Sequence, residues 1–344
     1  MWFKKLLTVF IGIIISLALC EIVLRIYNPF QSRVRGNEII LKSNYKRNVV
    51  IEPSVKGLDT KVLYSTNSLG FRGPEPPEKW DENTTIITVG GSTTECSLLS
   101  DDSTWTAHLF RNLKASDASI WMNNAGLDGC SSYGHIILMR DYIAKLKPDY
   151  AVFLVGINDV VKMSFQNEDG FLIKRNESYW RTLLKKSELF TTISNLMEAM
   201  KSQKANVAHG NDPYDYKNNE LNKGDSTYRA GIQQQLTKML PAYTERISQI
   251  VGLCRQSGIK PVFVTQPKFD DTASFSWKVM QQYNVALMDY CKTQSIPVID
   301  LGSLMPRDEK YYYDQIHFTN RGAAKIGQIL YPEIQKIINN QIKK

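Results

Sequence analysis

The sequence predicts an α/β protein built on a parallel sheet, and three observations carry that expectation. Short β-rich runs alternate with stretches of helical spacing, residues of catalytic type follow four of those runs, and a single long apolar segment stands apart at the N-terminus. The runs are TTIITV at 84–89, IWMNN at 120–124, YAVFLV at 150–155, PVFVT at 261–265 and IPVID at 296–300. Between them, apolar residues recur near helical spacing over Trp105–Ala115, Tyr133–Leu146, Ile232–Gln256, Ser276–Thr293 and Asn320–Asn339. Pro241 is a position at which the third helix could divide, because proline removes a backbone donor. Parallel neighbours joined this way should cross over with right-handed connections.

The N-terminal segment Leu6–Leu24 is apolar except for Thr8, Ser16 and Glu21, and its length suffices to span hydrocarbon. It is too long for a signal-peptide core, and Leu19 stands where a lipoprotein signal would place a small residue before Cys20. An uncleaved membrane anchor is therefore expected over residues 1–30. Orientation is contested by the charges: Lys4 and Lys5 precede the span, whereas Arg25, Arg33, Arg35, Lys42, Lys46 and Arg47 follow it. A lone N-terminal anchor nonetheless serves to export and tether the domain behind it, so an extracytoplasmic domain is expected. The basic stretch either rests on anionic headgroups or is a solvated linker. Residues 31–80 read as an irregular extension, ending in the glycine- and proline-rich NSLGFRGPEPPEKW. Residues 81–344 read as the main domain, interrupted by an insertion at about 162–230 whose polar part, HGNDPYDYKNNELNKGDST, reads as a loop.

With 43% apolar and 22% charged residues, the chain has the balance of a globular protein with one large core. A formal charge of +8 raises nucleic acid as a partner, but the basic residues are scattered among acidic ones without a nucleic-acid motif, and that partner is discounted. Outside the span, Cys96, Cys130, Cys254 and Cys291 show no C-x-x-C spacing. A bridge between Cys254 and Cys291 and four buried free thiols are both open readings. His108, His135 and His209 are scattered without metal-ligand spacing and read as structural or surface residues.

In an open parallel sheet, ligands bind beyond the carboxyl ends of the strands. After the first strand comes Gly90-Gly91-Ser92-Thr93-Thr94, which exposes a serine on a tight turn at the start of a helix. It is not the G-x-S-x-G elbow, since Thr94 replaces the last glycine, nor a phosphate loop, since it lacks lysine. Alone, such a serine would be an N-cap. The second strand leads to NNAGLDG, where Gly126 can turn a backbone N–H toward the same crevice. The third ends in Gly156-Ile157-Asn158-Asp159, whose asparagine amide can face an oxyanion. After the last, YYYDQIHFTNRG sets Asp314 three residues before His317, close enough for the carboxylate to orient the imidazole. A surface histidine beside an unrelated aspartate is the bland alternative.

Ser92, Gly126, Gly156-x-Asn158-Asp159 and Asp314-x-x-His317, in that order, resemble the four blocks of the SGNH (GDSL-like) hydrolases, over roughly residues 84–335. The chain looks like a membrane-anchored, bacterial-type member. One departure stands out: GGST occupies the place of Gly-Asp-Ser, which bears on substrate subgroup more than on the reaction. The resemblance implies a three-layer α/β/α sandwich with a five-stranded, flavodoxin-like parallel sheet, and ester hydrolysis without a cofactor. It implies Ser92 as nucleophile, His317 as base and Asp314 as the third member of the triad. Ser92, Gly126 and Asn158 would form the oxyanion hole. An O-acetyl ester on a cell-surface carbohydrate is the leading substrate expectation, with lysophospholipid next. Acyl transfer on the same triad is one alternative, and a catalytically silent, membrane-tethered binding module is another. Tyr179, Trp180, Tyr214, Tyr216 and Tyr228 in the insertion are either sugar-stacking surfaces or ordinary packing.

Overall fold

The computed structural model describes residues 2–27, 34–35, 38–164, 184, 186–193 and 220–342. The chain divides into two compact units, one of residues 1–40 with 170–210 and one of residues 41–169 with 211–344. Most of the expected insertion, including Tyr179, Trp180, His209, Tyr214 and Tyr216, lies outside the described residues.

In the larger unit, β5 (Thr84–Gly90), β6 (Ile120–Asn124), β7 (Tyr150–Leu154), β8 (Lys260–Val264) and β9 (Val298–Ile299) form one parallel sheet in the order β6-β5-β7-β8-β9. Runs rich in Ile, Val and Phe suit strands covered on both faces, and β6 and β7 are buried at every position. The register sets Thr88 beside both Asn124 and Val152, and Gly90 beside Leu154, so at the carboxyl edge β5 and β7 end level and the outer strand β6 ends two residues short of them. That edge is where the sequence places its chemistry.

One face of the sheet, through Ile86, Met122, Val152 and Val264, packs on Trp105, Leu109 and Leu113 of α3 (Trp105–Ser116) and on Ile326 and Leu330 of α8 (Asn320–Ile342). Alternate residues point the other way, and there Phe153 and Phe263 stack with centroids 5.0 Å apart. The helices α4 (Ser132–Leu138), α6 (Ser226–Gln256) and α7 (Phe275–Thr293) pack together in the remaining layer. Helix starts coincide with side-chain caps: Thr104 accepts from Ala107 N, Asp225 from Tyr228 N and Ser274 from Trp277 N. Asp225 explains why α6 begins at Ser226, ahead of the apolar pattern from Ile232. Pro241 does not divide that helix, since a solvent-facing proline removes only one bond from its ladder.

Residues 31–80, expected to be irregular, contain paired strands. β3 (Lys46–Val50) and β4 (Lys61–Ser65) form an antiparallel pair with Lys46 opposite Ser65, and Val62 and Tyr64 of β4 are buried. Arg72 then exchanges both backbone hydrogen bonds with Asn124 at the end of β6. Alternation in KVLYS is the sequence trace of this strand, and five residues are too few to separate it from loop. Cys96, Cys130, Cys254 and Cys291 are all free and buried, and no bridge joins Cys254 to Cys291. Burial pushes the thiols of Cys96, Cys254 and Cys291 up to about 12, which keeps them protonated and inert.

In the smaller unit, α1 (Trp2–Ile26) is a helix long and apolar enough to cross a membrane. The short strands β1 (Val34–Arg35) and β2 (Glu38–Ile39) pair antiparallel. Residues 188–193 form a helical turn, and the Glu21 carboxylate of α1 accepts hydrogen bonds from Ser187 Oγ, Glu188 N and Leu189 N at its start.

Candidate active site

β5 ends at Gly90, and Ser92 opens α2 (Ser92–Glu95), a single turn closed by Cys96 in the left-handed region at φ 51°. A serine in this place keeps its hydroxyl at the mouth of the sheet and its N–H among those that a helix start leaves without an intrahelical acceptor. His317 arrives from the loop before α8, and its Nε2 lies 2.8 Å from Ser92 Oγ. On the other side of the ring, Nδ1 is 2.6 Å from Asp314 Oδ2. Asp314 Oδ1 accepts from the backbone N–H groups of Ile316 and His317 at 2.8 and 2.7 Å. The three-residue spacing thus lets one carboxylate hold both the loop and the ring. The Tyr313 ring stacks on the imidazole, nearly parallel at 5.4 Å.

Charge follows this geometry. Burial pushes the Asp314 carboxyl up, but the hydrogen bond and charge of His317 and the two backbone donors outweigh it, and the group sits below its ordinary value. Burial likewise disfavours the His317 cation, and the hydrogen bond and charge of Asp314, with Asp128 adding to them, raise it above the ordinary histidine value nonetheless. A base must be neutral to act, so kcat/KM should fall as pH drops through a midpoint above about 6.5. Asp314→Asn should move that midpoint down and lower the plateau by roughly 10⁴-fold, as measured by pH–rate profiles. The stability linkage has the opposite sense. The raised histidine contributes stability below its unfolded pKa and loses it as pH rises through the folded one. The depressed aspartate contributes above its unfolded value and loses it as pH falls. The pair therefore stabilises the fold most at mildly acidic pH, where catalysis fades.

Asn158 lies in the first turn of α5 (Ile157–Ser164), after Gly156, whose φ of 118° makes the turn out of β7 one that glycine suits. Its Nδ2 donates to Cys130 O at 2.9 Å, which occupies one of its two N–H bonds. The same amide lies close to Gly91: a Cβ on Gly91 would be 2.2 Å from Asn158 Nδ2. The structure therefore brings together Ser92, His317, Asp314 and Asn158. Gly126 is a correction to the sequence expectation. Its N–H donates to Asn124 Oδ1 at 2.8 Å, and a Cβ there would meet Glu95 N at 2.2 Å, so it packs beneath α2 and does not offer its N–H to the crevice. Three residues on, Gly129 stands at φ 69° in the turn from Leu127 to Cys130, where Asp128 and Gly129 are exposed and Leu127 and Cys130 buried, beside the carbonyl that holds Asn158.

Sequence reasoning missed the groups that fix these parts. Arg72, 3% exposed, donates through NH1 to the carbonyls of Glu95 and Cys96 and through NH2 to Leu99 O and Asp101. Its guanidinium thereby caps the end of the Ser92 helix. Asn124 Nδ2 takes Thr94 O in the same turn. The Glu95 carboxylate accepts from Tyr64 OH at 2.9 Å and Asp128 N at 2.7 Å, tying β4 to the turn that carries Gly129. On the far side, Asp159 accepts from Ser132 and from Arg246 of α6, whose guanidinium also lies over the Tyr133 ring. Arg72→Met should cost on the order of 3 kcal/mol in urea denaturation, because it strands buried carbonyls and a carboxylate without a donor.

The crevice beside Ser92 is lined by Ser92, Thr93, Cys96, Leu98, Leu99, Tyr313, His317 and Phe318. Among the described residues, no group of three or more His, Cys, Asp or Glu side chains is placed to share a metal ion.

Residues 87–325 match the GDSL-like lipase/acylhydrolase family. No curated protein matches the sequence. Among solved structures, the acetyl xylan esterase AlAXEase is similar at 12% identity and TM-score 0.47, over 73% of this chain and 99% of that one. A GDSL-like lipase from Bacteroides thetaiotaomicron is similar at 14% identity and TM-score 0.44, over 76% and 92%. A catalytic mutant of an acetylxylan esterase from Geobacillus stearothermophilus is similar at 12% identity and TM-score 0.45, over 73% and 94%.

Proposed function

Because the chain belongs to the GDSL-like lipase/acylhydrolase family and is an ester-hydrolysing enzyme, we propose that it is a membrane-anchored serine esterase that removes a short acyl group, an acetyl above all, from a hydroxyl of a cell-surface carbohydrate. The observation that carries the catalytic part is the continuous path Ser92 Oγ, His317 Nε2, His317 Nδ1, Asp314 Oδ2, with links of 2.8 and 2.6 Å. His317 takes the Ser92 proton as the oxygen attacks the ester carbonyl. The oxyanion forms against the Ser92 N–H and the second N–H of the Asn158 amide. The carbonyl re-forms as the C–O bond to the alcohol breaks, and the alcohol leaves with the proton from His317. Water, deprotonated by the same imidazole, then attacks the acyl-Ser92 carbonyl; its oxygen stays on the acid, and the proton returns to Ser92.

The apolar side chains of Leu98, Leu99 and Phe318 beside Ser92 offer a surface for the acyl group, and a short one is the reading proposed here. Anchoring by α1, with the larger unit outside the cytoplasm, would set the enzyme among such substrates. Hydrolysis of p-nitrophenyl acetate should exceed that of the octanoate by at least about tenfold in kcat/KM, because a longer chain must displace packed side chains beside Ser92. Equal or reversed preference for the octanoate would overturn the short-acyl reading, and release of acetate from an acetylated glycan tests the leaving group.

A further inference from the structure

The helical turn at 188–193 is amphipathic in an inverted sense. It buries Glu188 and Thr192, one turn apart, and exposes Phe190 at 37% and Ile193 at 48%, with Leu184 just ahead at 49%. In water a turn of this composition would face the other way. At its start stands the anchor helix: Glu21 receives Ser187 Oγ at 2.7 Å, Glu188 N at 3.1 Å and Leu189 N at 3.0 Å, and Arg25 donates to Lys186 O at 3.2 Å. Glu21 also pairs with Arg25 at 2.8 Å.

The depth of these contacts is set by helix geometry. From Leu6, where the apolar run begins, Glu21 is fifteen residues on, or about 22 Å at 1.5 Å per residue, and the hydrocarbon core is about 30 Å thick. Glu21 thus lies about 8 Å short of the far boundary, within the depth that in-plane interfacial helices reach. A carboxylate there is expensive unless paired, and Arg25, one hydroxyl and two backbone N–H groups satisfy it. Those same bonds hold residues 186–189 at that level.

We propose that residues 186–193, with Leu184 ahead of them, form an in-plane membrane contact, clipped to the exit of α1 by Glu21 and Arg25, with Leu184, Phe190 and Ile193 seated in the lipid interface. The contact rests on the anchored reading of α1 and extends it: the clip is a use for Glu21 that a cleaved leader would not have. The partner is the acyl–headgroup boundary of the bilayer that α1 crosses.

The test uses the full chain in phospholipid vesicles, with Cys20→Ala to remove the exposed thiol. A nitroxide is attached at Phe190→Cys, at Ile193→Cys and, as the water reference, at Lys79→Cys. Membrane insertion of 190 and 193 makes relaxation by oxygen exceed that by a polar nickel complex, the reverse of the ratio at 79. Vesicles that carry the protein through an alkaline wash while 190 and 193 behave like 79 overturn the in-plane contact and leave the anchor standing. Protein that washes off overturns the anchor, and the contact with it.

Discussion

Ser92→Ala and His317→Ala should each lower kcat for p-nitrophenyl acetate by about 10⁴- to 10⁶-fold, and the double variant should be no slower than either single one. The cause is geometric. Oγ and Nε2 are 2.8 Å apart, so nucleophile and base work as one unit, and removing either removes the step that both perform. What survives is transition-state stabilisation by the remaining oxyanion donors and binding. Both side chains are partly exposed, so neither truncation should disturb the core, and unchanged thermal melting would verify that. Two single losses that multiplied in the double variant would mean that Ser92 and His317 act separately, contrary to the proposed mechanism.

Restoring the family's own residue at position 91 should damage this enzyme. Gly91→Asp places a Cβ 2.2 Å from Asn158 Nδ2 and 3.3 Å from Cys130 O, and the flexible partner, the amide, is the one that must move. Loss of an oxyanion donor costs about 10²- to 10³-fold in kcat, so Asn158→Ala should fall by that amount, and Gly91→Asp by a similar one, with KM little altered. Combining the two should give about the loss of one, since both remove the same group. Gly91→Ala separates bulk from charge: it should share most of the defect. A Gly91→Asp enzyme with full activity would show that Asn158 does not occupy its functional position beside Gly91.

How much of this was legible beforehand depends on range. Ser92, Asn158 and His317 could be read because each follows a strand or precedes a helix, and the topology of a parallel sheet gathers such positions at one edge. Gly126 was misread because its N–H is captured by the Asn124 side chain, a contact that no spacing rule announces. Arg72 was invisible for a related reason. Its partners lie 23 to 29 residues along the chain, and a lone arginine in a glycine- and proline-rich stretch carries no periodic signal. Asp159 was noticed beside Asn158 without a role, since its partner Arg246 is 87 residues away on another layer.

The reach of Arg72 changes what counts as a transferable module. If the residues before Thr84 were only a spacer, recombination could graft residues 81–344 behind any other anchor. Instead the guanidinium that closes the nucleophile turn and the tyrosine that holds Glu95 both enter from upstream, on a segment compact with the catalytic unit from Leu41 onward. A splice at residue 81 would carry Ser92, Asp314 and His317 across and leave Arg72 and Tyr64 behind. The smallest graft that keeps the turn tied down begins some forty residues earlier, at Leu41.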